Sequence, residues 1–208
     1  MAESAAIASI ASISILAKAP VAGLAKTRLI PVLGPEGAAA LAARLIEHMV
    51  GICAAAATGP VTLWTAPDDT HPLFAAMRDR HGVTLARQPD GDLGARMHAA
   101  VTAANGPVLV VGADCPAMTA DHLREAAKAL RDRDAVVIPA EDGGYVLIGL
   151  RGPQSGLFSD MEWSTAMVMD ETRRRMQALA LSCRELTPLW DVDSPADLAR
   201  LQGSRFGA

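Results

Sequence analysis

Apolar and polar positions along this chain follow two alternating rhythms. Short apolar runs at 13–17, 61–64, 83–85 and 108–111 read as strands. The last of them, Val108-Leu109-Val110-Val111, is continuously apolar and suits a central strand buried on both faces. Between the runs lie stretches of helical spacing. Leu41, Leu45, Ile46 and Met49 mark one over 35–53, opened by Pro35-Glu36-Gly37. Further helices are predicted over 73–80, over 93–104 behind Asp90-Gly91-Asp92, and over 121–131. Runs at 135–138 and 145–148 predict two more strands, too close for a helical crossover, so the second is free to run antiparallel. A helix over 165–179 follows. Trp190-Asp191-Val192-Asp193 then predicts a short strand before a helix capped by Ser194, with Pro195 at its first position and Asp197 in its first turn. This alternation predicts an α/β three-layer sandwich around a mostly parallel, mixed sheet, with ligands gathered at the carboxyl ends of the strands.

At 208 residues the chain suits one domain over 1–208, able to bury a core without disulfide or metal staples. It shows no internal repeat, linker or low-complexity tract. A net charge of -4 argues against nucleic acid as a partner, yet permits a local cationic pocket. Cys53, Cys115 and Cys183 are widely spaced, without a Cys-x-x-Cys pair, and fit buried thiols in the cytoplasm. The N-terminal segment carries Glu3 and no Lys or Arg, and serines interrupt its apolar residues, so neither a signal peptide nor a membrane span is expected. His48, His71, His81, His98 and His122 lack a ligand spacing, and Arg173-Arg174-Arg175 reads as a solvated helix face.

Chemistry concentrates behind the strands. The run at 13–17 empties into a loop carrying Lys18, Lys26 and Arg28, where Pro20 restrains Ala19 and Gly23 lets the backbone turn. Cations gathered at a strand end suit an anion, with a polyphosphate first in line, although a solvated basic turn has the same composition. The loop is neither a Walker A motif nor Gly-x-Gly-x-x-Gly. Asp114 follows the central strand, where a carboxylate beside a polyphosphate suits Mg²⁺, with Mn²⁺ as the alternative, and where an Asx turn is the plainer use. Glu141-Asp142-Gly143-Gly144 sits between two strands, either bringing Asp142 and the glycine backbone to a ligand or simply turning a hairpin. Capping accounts for Ser194, Pro195 and Asp197 but less readily for Asp193.

Five motifs occur in order: Lys-x-Pro-x-x-Gly-x-x-Lys-Thr-Arg-Leu from Lys18, Gly-Asp-Leu-Gly-Ala-Arg-Met from Gly91, Gly-Ala-Asp-Cys-Pro from Gly112, Asp-Gly-Gly-Tyr from Asp142 and Trp-Ser-Thr from Trp163. Together they resemble a family of bacterial glycosyltransferase-like proteins, some labelled arsenosugar-biosynthesis glycosyltransferases. More distantly the chain is similar to 2-phospholactate and molybdenum cofactor guanylyltransferases and to CMP-sugar synthetases of the GT-A type, nucleotide-diphospho-sugar transferase-like fold. The resemblance spans nearly the whole chain. It implies that Lys18, Gly23, Lys26 and Arg28 wrap a triphosphate, that Asp114 and Asp193 hold Mg²⁺, and that Gly94 and Arg96 meet the nucleotide base or position the substrate. The first loop departs from the sugar nucleotidyltransferases in lacking their Gly-rich opening, and no Asp-x-Asp follows the central strand.

The expected chemistry is nucleotidyl transfer from a nucleoside triphosphate to a small phosphorylated or hydroxyl acceptor, with Lys18, Lys26, Arg28 and the metal holding the charge of the leaving pyrophosphate and Lys26 and Arg28 as the catalytic cations. Glycosyl transfer from a nucleotide sugar is the alternative, with Asp142 as base toward an acceptor hydroxyl. A nucleotide-binding module without catalysis is a third, which the joint presence of Asp114, Asp142 and Asp193 argues against. Neither a membrane nor a particular oligomeric state is implied.

Overall fold

The computed structural model describes residues 11–202 and 206; the expectation for the first ten residues lies outside them. Strands β1 (Ser12–Lys18), β2 (Val61–Ala66), β3 (Thr84–Arg87), β4 (Val108–Gly112), β5 (Ala135–Pro139), β6 (Tyr145–Leu150) and β7 (Cys183–Glu185) form one sheet in the order β3-β2-β1-β4-β6-β5-β7. Strand β1 lies parallel to β2 and β4, β2 to β3, and β5 to β7. Strand β6 runs antiparallel to both neighbours, as the short connection from β5 requires. The sheet is therefore mixed and mostly parallel, as the patterning predicts.

Helices α1 (Ile30–Ala56), α2 (Pro72–His81), α3 (Leu93–Thr102), α4 (Ala120–Ala129), α5 (Val168–Ala178) and α6 (Pro195–Leu201) cover this sheet. Side chains alternate across it. Ile13, Ile15, Leu109, Val111, Val136 and Ile138 pack with Ile46, Met49 and Val50 of α1, Phe74 of α2 and Leu123 of α4. Val108, Val110, Val137 and Ile148 face the other way, onto Met97 and Val101 of α3 and Met169 and Met176 of α5. A strand clothed on both faces must be apolar at consecutive positions, which is why 108–111 shows no alternation. Each of these large side chains contributes roughly 1.5–3 kcal/mol by leaving water. The apolar length of Thr27–Ala56 would suffice to cross a bilayer by composition, and 56% of that hydrophobic window is buried within the fold.

The structure departs from the patterning at four places. Helix α1 begins at Ile30, before the expected Pro35, because its first turn is joined to the rest across a kink where Gly34 takes φ 71° and ψ 167°. Strand β7 has three residues, two of them the exposed Arg184 and Glu185, so it has no apolar run to reveal it. Asp134 secures its entry, accepting from the Ser182 N–H at 2.9 Å and its hydroxyl at 2.6 Å. The segment 190–193 is not a strand of the sheet: it is anchored by a Leu189–Ala140 bridge and by the Val192 N–H donating to the Asp114 carbonyl at 3.0 Å. Helix α5 begins at Val168 rather than at 165, with the Met169 N–H donating to the Gly143 carbonyl at 2.8 Å.

Candidate active site

Parallel β1 and β4 release their chains side by side, so the basic loop and Asp114 emerge into the same space. The Leu24 and Ala25 N–H groups both return to the Val21 carbonyl at 3.0 Å, and Gly23 takes φ 81° in the open. Lys26 then adopts the left-handed region, φ 46° and ψ 47°, and begins the 3₁₀ turn Thr27–Leu29. That conformation turns its side chain inward. Its ammonium donates to Asp114 Oδ2 at 3.0 Å and to the Val192 carbonyl at 2.6 Å, and only 14% of the side chain remains exposed. Arg28 pairs with Asp193. Lys18, Lys26, Arg28 and Asp114 line a cavity of about 280 Å³ closed from below by Leu16, Leu45 and Ile46.

Gly112 gives Asp114 its room, since a Cβ there would stand 2.8 Å from Asp114 Oδ1. The neighbouring Cys115 donates its thiol to the Trp190 carbonyl at 3.3 Å, and burial pushes that thiol up to about 12, which makes it an inert packing group. Beyond Asp114 a second cavity, about 310 Å³, collects Arg28, Asp142, Asp191, Asp193, Tyr145 and Trp163. Burial, then the negative charges of Asp114 and Asp142, push the Asp191 carboxyl up to about 6. Asp191 was not singled out from the sequence, although it stands two positions before Asp193; only the docking of 190–193 against β4 turns it into the cleft.

The region 49–165 matches the model of the DUF2064 family, described as uncharacterised proteins conserved in bacteria. The chain belongs to this family. The match runs from within α1 to Trp163-Ser164-Thr165, and leaves the basic loop and 190–193 outside it. A 2-phospho-L-lactate guanylyltransferase of Methanoregula boonei is 28% identical over 179 residues, covering 85% of this chain and 76% of that protein. A phosphoenolpyruvate guanylyltransferase of Sphaerobacter thermophilus is 28% identical over 185 residues, covering 86% and 87%. Among solved structures, one described as a nucleotide-diphospho-sugar transferase of Desulfovibrio desulfuricans G20 superposes with a TM-score of 0.83 at 28% identity, over 95% of this chain and 90% of that one. The fold is of the nucleotide-diphospho-sugar transferase type, and these likenesses make the DUF2064 chain a transferase.

Other residues of this DUF2064 protein are placed by packing. Gly94 sits beneath Trp163, where an added Cβ would stand 2.9 Å from the indole nitrogen and 2.5 Å from the Phe158 carbonyl. Arg96 reaches Gln88 Oε1 at 3.5 Å, and Gln88 Nε2 donates to the carbonyls of Ala17 at 3.0 Å and Trp64 at 2.8 Å, bracing the ends of β1 and β2. Neither Gly94 nor Arg96 lines the two cavities. Gly143, φ 94°, approaches the chain's own Ala166, whose carbonyl would lie 2.2 Å from a Cβ; Gly144 and Asp142 are the parts of that turn that reach the second cavity. His71 and His122 accept helix-capping N–H groups from Leu73 and Thr119. Arg173 pairs with Asp170 and Glu185, and Arg174 and Arg175 with Glu171.

A hard divalent cation fits the donors present. Asp114 and Asp193 both line the first cavity and offer oxygen only. Such a site suits Mg²⁺, which uses one or two carboxylates and takes its other oxygens from substrate and water.

Proposed function

We propose that this single domain is a Mg²⁺-dependent nucleotidyltransferase of the cytoplasm, moving a nucleotidyl group from a nucleoside triphosphate to a small acceptor. The observation that carries the reading is the convergence of Lys18, Lys26 and Arg28 with Asp114 in one cavity at the ends of β1 and β4. Three cations around so small a volume suit the charge of a triphosphate. Asp114 and Asp193 would hold the metal, which when bound neutralises phosphate oxygens. The chain's own part is positioning and charge. Lys26, held between Asp114 and the Val192 carbonyl, and Arg28, which lines both cavities, stand ready to take up the growing charge of a departing pyrophosphate. The guanylyltransferase names of the two curated relatives support transfer at phosphorus and suggest GTP as the donor.

A second reading, glycosyl transfer from a nucleotide sugar, is favoured by the description of the solved relative. The same cations would then hold a diphosphate. Thermal protection decides between them: with Mg²⁺, a nucleoside triphosphate should raise the melting temperature more than any nucleotide sugar, and should release pyrophosphate when an acceptor is added. A consistent preference for a nucleotide sugar would sink nucleotidyl transfer.

A further inference from the structure

Arg28, Asp114 and Asp193 line both cavities, so whatever fills the second lies against the polyphosphate pocket. The second adds Asp142 and Asp191, and Arg28 is the cation among the residues that line it. That cation is paired with Asp193, and Lys26 across the wall is paired with Asp114. Asp142 accepts the Gly144 N–H through Oδ1 at 2.9 Å, with Oδ2 making no hydrogen bond to the described residues. The rings of Tyr145 and Trp163, centroids 6.5 Å apart at 84°, supply apolar wall beside Ser164 and Thr165.

We propose that the second cavity takes an uncharged, hydroxyl-bearing acceptor, a sugar or polyol, in preference to a phosphorylated acid. The inference deepens the transferase reading and rests on it. The two acceptor classes make opposite demands. A phosphate arrives as an anion, needs cations to hold it and needs no base to become a nucleophile. An alcohol needs no cation, but its proton must be taken. With Asp114 and Asp193 assigned to the metal and Arg28 to the departing pyrophosphate, Asp142 and Asp191 face the acceptor with no further Lys or Arg among the lining residues, and the alcohol fits that balance. A hydroxyl donates to the same carboxylates that would repel a phosphate, and aromatic walls cover the C–H faces of a sugar. In the transfer the acceptor O–H bond breaks and its oxygen bonds to the α-phosphorus. The bond from that phosphorus to the β,γ-diphosphate breaks, pyrophosphate leaves, and the proton goes to the Asp142 carboxylate.

The test uses probes that share a carbon skeleton: ribose against ribose 5-phosphate, glucose against glucose 6-phosphate, and phosphoenolpyruvate as a phosphorylated acid. Each is given to the full-length protein with Mg²⁺ and the best-protecting nucleoside triphosphate, and pyrophosphate release is read. The neutral member of at least one pair should respond at least about tenfold more strongly than its phosphorylated partner, given the cost of like charges in contact. A larger response from any phosphorylated member, turnover with phosphoenolpyruvate, or silence from every probe overturns the proposal. Thermal protection by the triphosphate, recorded beforehand, reports on the donor reading alone. Should none be seen, the same pairs are titrated calorimetrically into the nucleotide-free protein, and the same ranking decides.

Discussion

Lys26 ties Asp114 to the Val192 carbonyl, donating to both, at 3.0 and 2.6 Å, across 88 and 166 positions of sequence. One side chain thus fastens the basic loop, the end of β4 and the segment before α6. In the same cleft Arg28 holds Asp193. Two of the three cations proposed for phosphate, Lys26 and Arg28, are each paired with a carboxylate proposed for metal, so the two kinds of ligand must be exchanged in together.

Metal and nucleotide should therefore protect cooperatively. Mg²⁺ alone leaves the cations in the way, and nucleotide with EDTA leaves the carboxylates without a partner. The rise in melting temperature with both should exceed the sum of the two separate rises. Strictly additive shifts would count against the exchange.

Asp114→Ala should abolish the Mg²⁺-dependent part of that protection. Lys26→Ala should lower turnover by about a hundredfold, the usual cost of losing one preorganised donor to developing charge. Its effect on stability should be much smaller, roughly 1 kcal/mol, since Asp114 is 39% exposed and can rehydrate. Paired kinetics and denaturant titration separate the two, and a Lys26→Ala protein with unchanged turnover would remove this residue from the chemistry.

Gly94→Ala should act through packing. Its methyl group would meet the Phe158 carbonyl at 2.5 Å and the Trp163 indole at 2.9 Å, a clash worth about 1–3 kcal/mol. Denaturant unfolding should show that loss, while the ranking of nucleotides by the folded protein should stay as it is in the parent. A changed base preference at full stability would favour a place for Gly94 at the nucleotide instead.

Asp134 should make stability at the β7 edge depend on acid. The Ser182 hydroxyl and N–H hold its carboxyl below the usual range, so its contribution is complete above the unfolded value, near 3.9, and fades as pH falls through the folded one. The stability difference between parent and Asp134→Asn should be constant near neutrality and shrink at low pH. A difference that grows on acidification would contradict the assignment.

The alternation of strand and helix was readable because each strand is apolar where both faces are covered and each helix repeats with its own period. Strand β7 escaped that logic: three partly polar residues at an edge owe their conformation to β5 and to Asp134, which periodicity does not record. The same limit applied within the cleft. Pro20, Gly23 and the clustered cations marked an anion loop locally, and Gly112 with Asp114 marked a strand end. Residue type and spacing, acting through backbone freedom and side-chain burial, thus determined the α/β order, the basic loop and the carboxylate beside it. Tertiary structure alone decided that Asp191 turns inward, that Gly94 packs under Trp163, and that Lys26 and Arg28 are held by Asp114 and Asp193. Those relations join residues far apart in sequence, and charge and contact act through space.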